Sequence, residues 1–146
     1  MKTAIVETVC GRVRGYEEKG VQIFKGIPYA KPPIGPLRFR PPEPPKPWSG
    51  IKDCTQFGPI AWQPPVELMD FLGNPAENMD EDCLNLNIWT PGTDRGRRPV
   101  MVWIHGGAFA NGAGSAPSYD GSAFAKNGDV VVVTINYRLG ALGFLY

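Results

Sequence analysis

The chain has 146 residues, 42% of them hydrophobic, and a formal net charge of +1. That length suits a single domain, and the near-neutral balance removes any electrostatic case for nucleic acid or an anionic membrane surface as partner. No run of about 18 apolar residues occurs, which excludes a membrane-spanning helix.

The N-terminus, MKTAIVETVCGRVRG, meets Glu7 and Arg12 before any long apolar core forms. A signal peptide reads differently, so a cytoplasmic location is expected. AIVETV (Ala4 to Val9), GRVRGY (Gly11 to Tyr16) and VQIFKGI (Val21 to Ile27) alternate apolar and polar residues. They predict a small antiparallel sheet, with a hairpin across Cys10 and Gly11. Most of the 16 prolines follow between Pro28 and Pro65. Ile34, Leu37, Phe39, Trp48 and Ile51 interrupt them and are expected to pin an ordered, extended loop. A second irregular stretch, from about Ile60 to Asp82, carries Trp62, Met69, Phe71 and Leu72 and predicts a covering or functional loop.

LNLNIWTP (Leu84 to Pro91) alternates like an edge strand, whereas PVMVWIH (Pro99 to His105) and DVVVVTINY (Asp129 to Tyr137) read as strands buried on both faces. DGSAFAKNG predicts a short helix between those two, capped by Asp120 or Ser122 and ended by Gly128. Strand, loop, helix and strand make one βαβ unit, with a right-handed crossover expected. One such unit does not close a parallel sheet, so the expected object is the N-terminal part of a larger α/β domain. Cys10, Cys54 and Cys83 form no CxxC pair, and no His stands at zinc-ligand spacing; no metal site is expected and reduced thiols are favoured.

The loop WIHGGAFANGAGS (Trp103 to Ser115) leaves the C-terminal end of a predicted buried strand, where open α/β sheets place their ligands. Its Gly-Gly-Ala carries almost no side-chain bulk, so backbone N–H groups can approach a bound atom closely. Two chemistries use such a loop: cradling phosphate, or donating to an oxyanion. The P-loop spacing with its Lys-Ser/Thr is absent, and GAGSAPS is not the dinucleotide fingerprint.

HGGAF resembles the oxyanion loop of esterases and lipases. FKGIPYAKPPIGPLRFRPPEPPKPWSG, EDCLNLNIWTP, PVMVWIHGGAF and VVVVTINYRLGALGFL resemble, in that order, the N-terminal segments of the type B carboxylesterases. The resemblance covers essentially the whole chain. It implies an α/β-hydrolase fold, with a small antiparallel N-terminal sheet and then the start of a central, mostly parallel sheet. Residues 1–146 would be the N-terminal portion of a single domain. The remaining C-terminal part, or self-association, would cover the open sheet.

The activity implied is hydrolysis of small-molecule carboxylic esters by a serine mechanism, with no cofactor. In that reading the Gly107 and Ala108 N–H groups donate to the oxyanion, and Gly106 shapes the loop. No G-x-S-x-G occurs in the sequence, so the triad Ser, its acidic partner and the base are expected outside this chain, which alone is expected to be inactive. His105, the only histidine, is expected to be structural, and Ser115 has no base to activate it. The resemblance further makes Arg38 and Glu81 a buried ion pair and gives Arg138 an acidic partner outside the chain. It also brings Phe109, Trp62 and Phe71 near the substrate. Cys83 matches a disulfide position of secreted relatives whose partner falls at or near Ala61, so that bridge is expected to be missing; Cys54 is the alternative partner. The rival reading is a non-catalytic binding or adhesion module on the same fold. The intact Gly-Gly-Ala loop favours the enzyme.

Overall fold

In the computed structural model, residues 2–64 and 78–145 are described. Seven strands make one continuous sheet: β1 (Lys2–Thr8), β2 (Gly11–Glu18), β3 (Val21–Pro28), β4 (Ile51–Asp53), β5 (Asn85–Thr90), β6 (Val100–Ile104) and β7 (Val131–Ile135). The order is β1-β2-β3-β5-β7-β6, with β4 pairing alongside β2. The three N-terminal strands form the antiparallel meander that their alternation predicts. Lys19 and Gly20, at φ 51° and 81°, turn β2 into β3 in the doubly left-handed conformation that suits hairpin twist.

This meander is not a separate sheet. β3 pairs antiparallel with β5, and β5 antiparallel with β7, so the expected division into two sheets gives way to one. Of the central strands, only β6 and β7 run parallel. Between them lies α1 (Ser122–Gly128), completing the βαβ unit. The expected side-chain cap is not made: the N-cap is Gly121, and Asp120 Oδ1, one residue upstream, accepts the Ser122 N–H at 2.8 Å. The helix ends at Gly128, as expected, and the left-handed conformation falls on the next residue, Asp129, at φ 48°. Its carboxylate, with that of Asp94, holds Arg98 at the entry to β6. A last short helix, α2, spans Gly140–Phe144.

Two burial expectations are reversed. β5 is an interior strand, and its Asn residues face inward: Asn85 and Asn87 are buried with Trp89, while Leu86 and Ile88 on the opposite face are only half-buried. Asn87 is fully buried, and the reason is its partners. Its Oδ1 accepts the Gly26 N–H at 3.0 Å, where β3 bulges, and its Nδ2 donates to Thr134 Oγ1 of β7 at 3.0 Å. An amide that bridges two neighbours and loses no hydrogen bond is tolerated inside. Conversely, β6 is a sheet edge with all five residues exposed, although its apolar run reads as two-faced burial.

The apolar core gathers on the face that α1 covers: Val21, Ile23, Trp89, Ala125 and Val132. A second cluster joins Ala30, Ala61, Cys83, Leu84 and Leu139 below the Pro-rich segment. Of the apolar residues expected to anchor that segment, Leu37 and Trp48 are half-buried, but Ile34, Phe39 and Ile51 are exposed. Polar ties replace them. The Trp48 indole N–H donates to Arg12 O at 2.9 Å, and the Lys31 N–H donates to Glu43 O at 2.9 Å.

Replacing Asn87 by Leu should lower stability by about 1–3 kcal/mol for each buried group left unpaired, here the Gly26 N–H and a lone pair of Thr134. Urea unfolding of wild type and Asn87→Leu at equal m-value measures it.

Candidate active site

The chain leaves β6 through His105, which is 3% exposed. Its ring stacks on Tyr137 with centroids 4.4 Å apart and planes at 15°. The Tyr137 hydroxyl donates to the His105 carbonyl at 2.7 Å, so the residue is gripped by ring and backbone together. Nδ1–H donates to Gly106 O at 2.9 Å. Burial pushes the imidazole pKa below its ordinary value, against the smaller opposing effect of that bond. A neutral ring inside a stack has the character of a strut.

Beyond it the backbone turns sharply. Gly107 has φ 123°, and a Cβ there would stand 1.9 Å from Asn111 O, so no other residue fits. Ala108 and Phe109 also take positive φ, at 53° and 61°. For residues with a Cβ this conformation costs about 1–2 kcal/mol each. Three bonds hold it: the Ala110 and Asn111 N–H groups both donate to Gly107 O, at 3.0 and 3.1 Å, and Gly140 N–H donates to Phe109 O at 2.8 Å. The carbonyl of Gly107 is thus turned inward. Among the described residues, the Gly107 and Ala108 N–H groups have no acceptor, and Ala108 is exposed. Gly106 takes no positive φ and has open space above it, so the shaping expected of Gly106 falls to Gly107 and to Gly112.

Gly112, at φ 110°, packs so closely that a Cβ would meet Gly106 O and His105 Nδ1, each at 2.4 Å. Its N–H donates to Gln63 Oε1 at 2.7 Å. Two residues on, the Gly114 N–H donates to Asn136 Oδ1 at 2.7 Å, and Gly114 O accepts from Thr134 Oγ1 at 2.7 Å. The return of the loop is therefore hydrogen-bonded to β7 and the residue after it. Ser115 is buried at 4% exposure, out of reach of solvent.

A profile of the carboxylesterase family matches residues 2–146. The chain belongs to the carboxylesterase family. It is 51% identical to the para-nitrobenzyl esterase of Bacillus subtilis (strain 168), covering 100% of this chain and 30% of that protein. It is 48% identical to the phenmedipham hydrolase of Pseudarthrobacter oxydans, covering 97% of this chain and 29% of that protein. Among solved structures, a Geobacillus stearothermophilus carboxylesterase superposes with TM-score 0.88 at 55% identity, over 97% of this chain and 27% of that one. The chain thus spans about 30% of the length of the curated carboxylesterases it matches.

The other residues singled out in this carboxylesterase sequence are scattered around the loop in different ways. Phe109 is exposed and packs on Phe144, with ring centroids 4.6 Å apart. Trp62 is exposed, beside a shallow recess that Arg38, Glu81, Arg138 and Leu139 also line. Phe71 lies outside the described residues, as do Met69 and Leu72. Arg38 and Glu81 do form a two-pronged pair, at 2.7 and 2.6 Å, and the guanidinium lowers the Glu81 pKa. The pair is not buried as expected: the side chains are 45% and 22% exposed, because both residues sit on irregular backbone at the rim. Arg138 donates to Arg40 O at 3.0 Å. Cys54 and Cys83 are buried free thiols, not a bridge, with burial raising both pKa values to about 11. Among the described residues no His, Cys, Asp and Glu cluster could hold a metal ion. The sequence reading missed Gln63 and Tyr137. Tyr137 sits in the quoted INYR stretch, but Gln63 carries no local signal.

The unfolded chain protonates His105 at its ordinary pKa of about 6.5, before the folded chain does. Its contribution to stability is therefore complete above that pH and is lost as pH falls towards the depressed folded value. Denaturation midpoints between pH 7.5 and 5.5 should fall for wild type and flatten for His105→Gln.

Proposed function

We propose that this chain supplies the oxyanion-binding part of a serine carboxylic ester hydrolase. One observation carries the reading: two adjacent N–H groups, on Gly107 and Ala108, find no acceptor among the described residues past the end of β6, with open space over Gly106. As an ester carbonyl becomes tetrahedral, negative charge grows on its oxygen. Donors already fixed in place need no reorganisation at that moment. The positive-φ backbone at Ala108 and Phe109 sets the direction of these donors, and the hydrogen bonds around it hold that conformation against its strain.

One named relative is an esterase and the other a hydrolase by name, and the family is that of the carboxylesterases, which supports small-molecule carboxylic esters as the substrate class. Residues 1–146 form the N-terminal portion of one domain. A nucleophilic Ser in a G-x-S-x-G elbow, an acidic residue and a His base come from the rest of it, together with a third N–H donor. The exposed apolar residues of β6, Val100, Val102 and Ile104 among them, are where that remainder, or a second copy, covers the sheet. No cofactor takes part. Free thiols at Cys54 and Cys83 support a reducing, cytoplasmic location. Among the described residues no helix is long and apolar enough to cross a membrane.

The purified 146-residue chain should hydrolyse p-nitrophenyl butyrate no faster than buffer, whereas the complete polypeptide should turn it over. In the complete polypeptide, Gly107→Ala should lower kcat by about 100- to 1,000-fold by displacing a donor. A complete polypeptide without hydrolase activity would instead support a non-catalytic binding module.

A further inference from the structure

Gln63 stands on no strand or helix, yet it is only 9% exposed. Its amide is fixed from both ends. Nε2 donates to Ala61 O and to Gly112 O, each at 3.0 Å, while Oε1 accepts the Gly112 N–H at 2.7 Å. One side chain therefore makes with Gly112 the reciprocal pair of bonds that neighbouring strands make with each other. Gly112 in turn rests against Gly106 O and the His105 ring, close enough to exclude a Cβ. The donor pair Gly107 and Ala108 lies between this contact and the Gly140 bond to Phe109.

We infer that Gln63 is a positioning residue for the oxyanion donors, holding Gly112 so that the 107–109 backbone keeps its left-handed turn. This inference rests on the oxyanion reading of Gly107 and Ala108. The physical need is clear from the strain. Ala108 and Phe109 occupy a conformation that a released loop would leave, and the loop has only a few bonds to prevent it. Displacement of a donor by about 1 Å is enough to cost roughly 100-fold in rate. Gln63 touches no reacting atom in this scheme. It acts through Gly112.

The test uses the complete enzyme that carries this chain. Gln63→Met keeps the side-chain length and removes the three amide bonds named above. Its kcat for p-nitrophenyl butyrate should fall about 10- to 100-fold, with KM changed by less than about threefold. Affinity for an aryl trifluoromethyl ketone, whose adduct with the nucleophilic Ser carries a tetrahedral oxyanion, should fall by the same factor. A merely structural Gln63 would lower the melting temperature and leave both quantities unchanged in the folded protein, which would overturn the inference. Should Gln63→Met fail to fold, Gln63→Glu keeps the acceptor for Gly112 and forfeits the paired donors; the same loss in kcat and ketone affinity is expected, and its absence overturns the inference. A parent enzyme that neither hydrolyses the ester nor binds the ketone would overturn the oxyanion reading and this inference with it. An active parent with insensitive Gln63 variants would overturn this inference alone.

Discussion

The structure depends on a buried polar ladder between the two central strands and the loop that lies over them. Asn87 and Thr134 are fully buried, Asn136 is 1% exposed, and all three bond across elements rather than within one. Asn136 Nδ2 donates to Asn85 Oδ1 at 3.2 Å, and Asn85 Nδ2 donates to Pro59 O at 2.8 Å. The constraint behind it is simple. A loop of glycine and alanine laid against a sheet buries backbone N–H and C=O groups that no helix or strand satisfies. The sheet must then supply side-chain donors and acceptors, and each one it failed to supply would cost about 1–3 kcal/mol.

Those partners also make the loop a rigid object. Gly114 is bonded through both its N–H and its carbonyl to residues of β7 or just beyond it. Upstream, His105 is clasped by the ring and hydroxyl of Tyr137, two residues past the end of β7. The left-handed run Gly107 to Phe109 is suspended between these anchors. Its strain is held by three backbone bonds at the turn together with these anchors on either side. The Gly107 and Ala108 N–H groups, without an acceptor among the described residues, are thereby held in place with no ligand present, and dipoles fixed in advance are those that stabilise developing charge most effectively.

Burial follows the same division of labour. The face of the sheet under α1 is apolar around Trp89 and Val132 and polar around Asn87 and Thr134, on one surface and in adjacent pairs. Helix α1 covers the first region and the loop covers the second. The apolar part buries against side chains, and the polar part against backbone. On the outer edge, β6 keeps a strongly apolar sequence with every residue exposed, which is a sheet edge of the kind that proteins normally cover or pair.

Local sequence was enough for the N-terminal meander, the helix at residues 122–128, the βαβ order and the bareness of the HGGAF loop, because each rests on periodicity or glycine content within a few residues. The four quoted motifs were enough for the family. Tertiary structure alone decided that Asn85 and Asn87 point inward, since alternation reveals two faces but not which one a glycine loop will cover. It alone placed β5 inside the sheet and β6 at its edge, because pairing partners lie dozens of residues away. It left Arg38 exposed and Glu81 half-buried while keeping them paired, and it brought Gln63 to Gly112 across 49 residues. The sequence by itself determined which backbone could turn left-handed. Where the resulting N–H groups point was decided by hydrogen bonds from residues far along the chain, and no window of local sequence contains those.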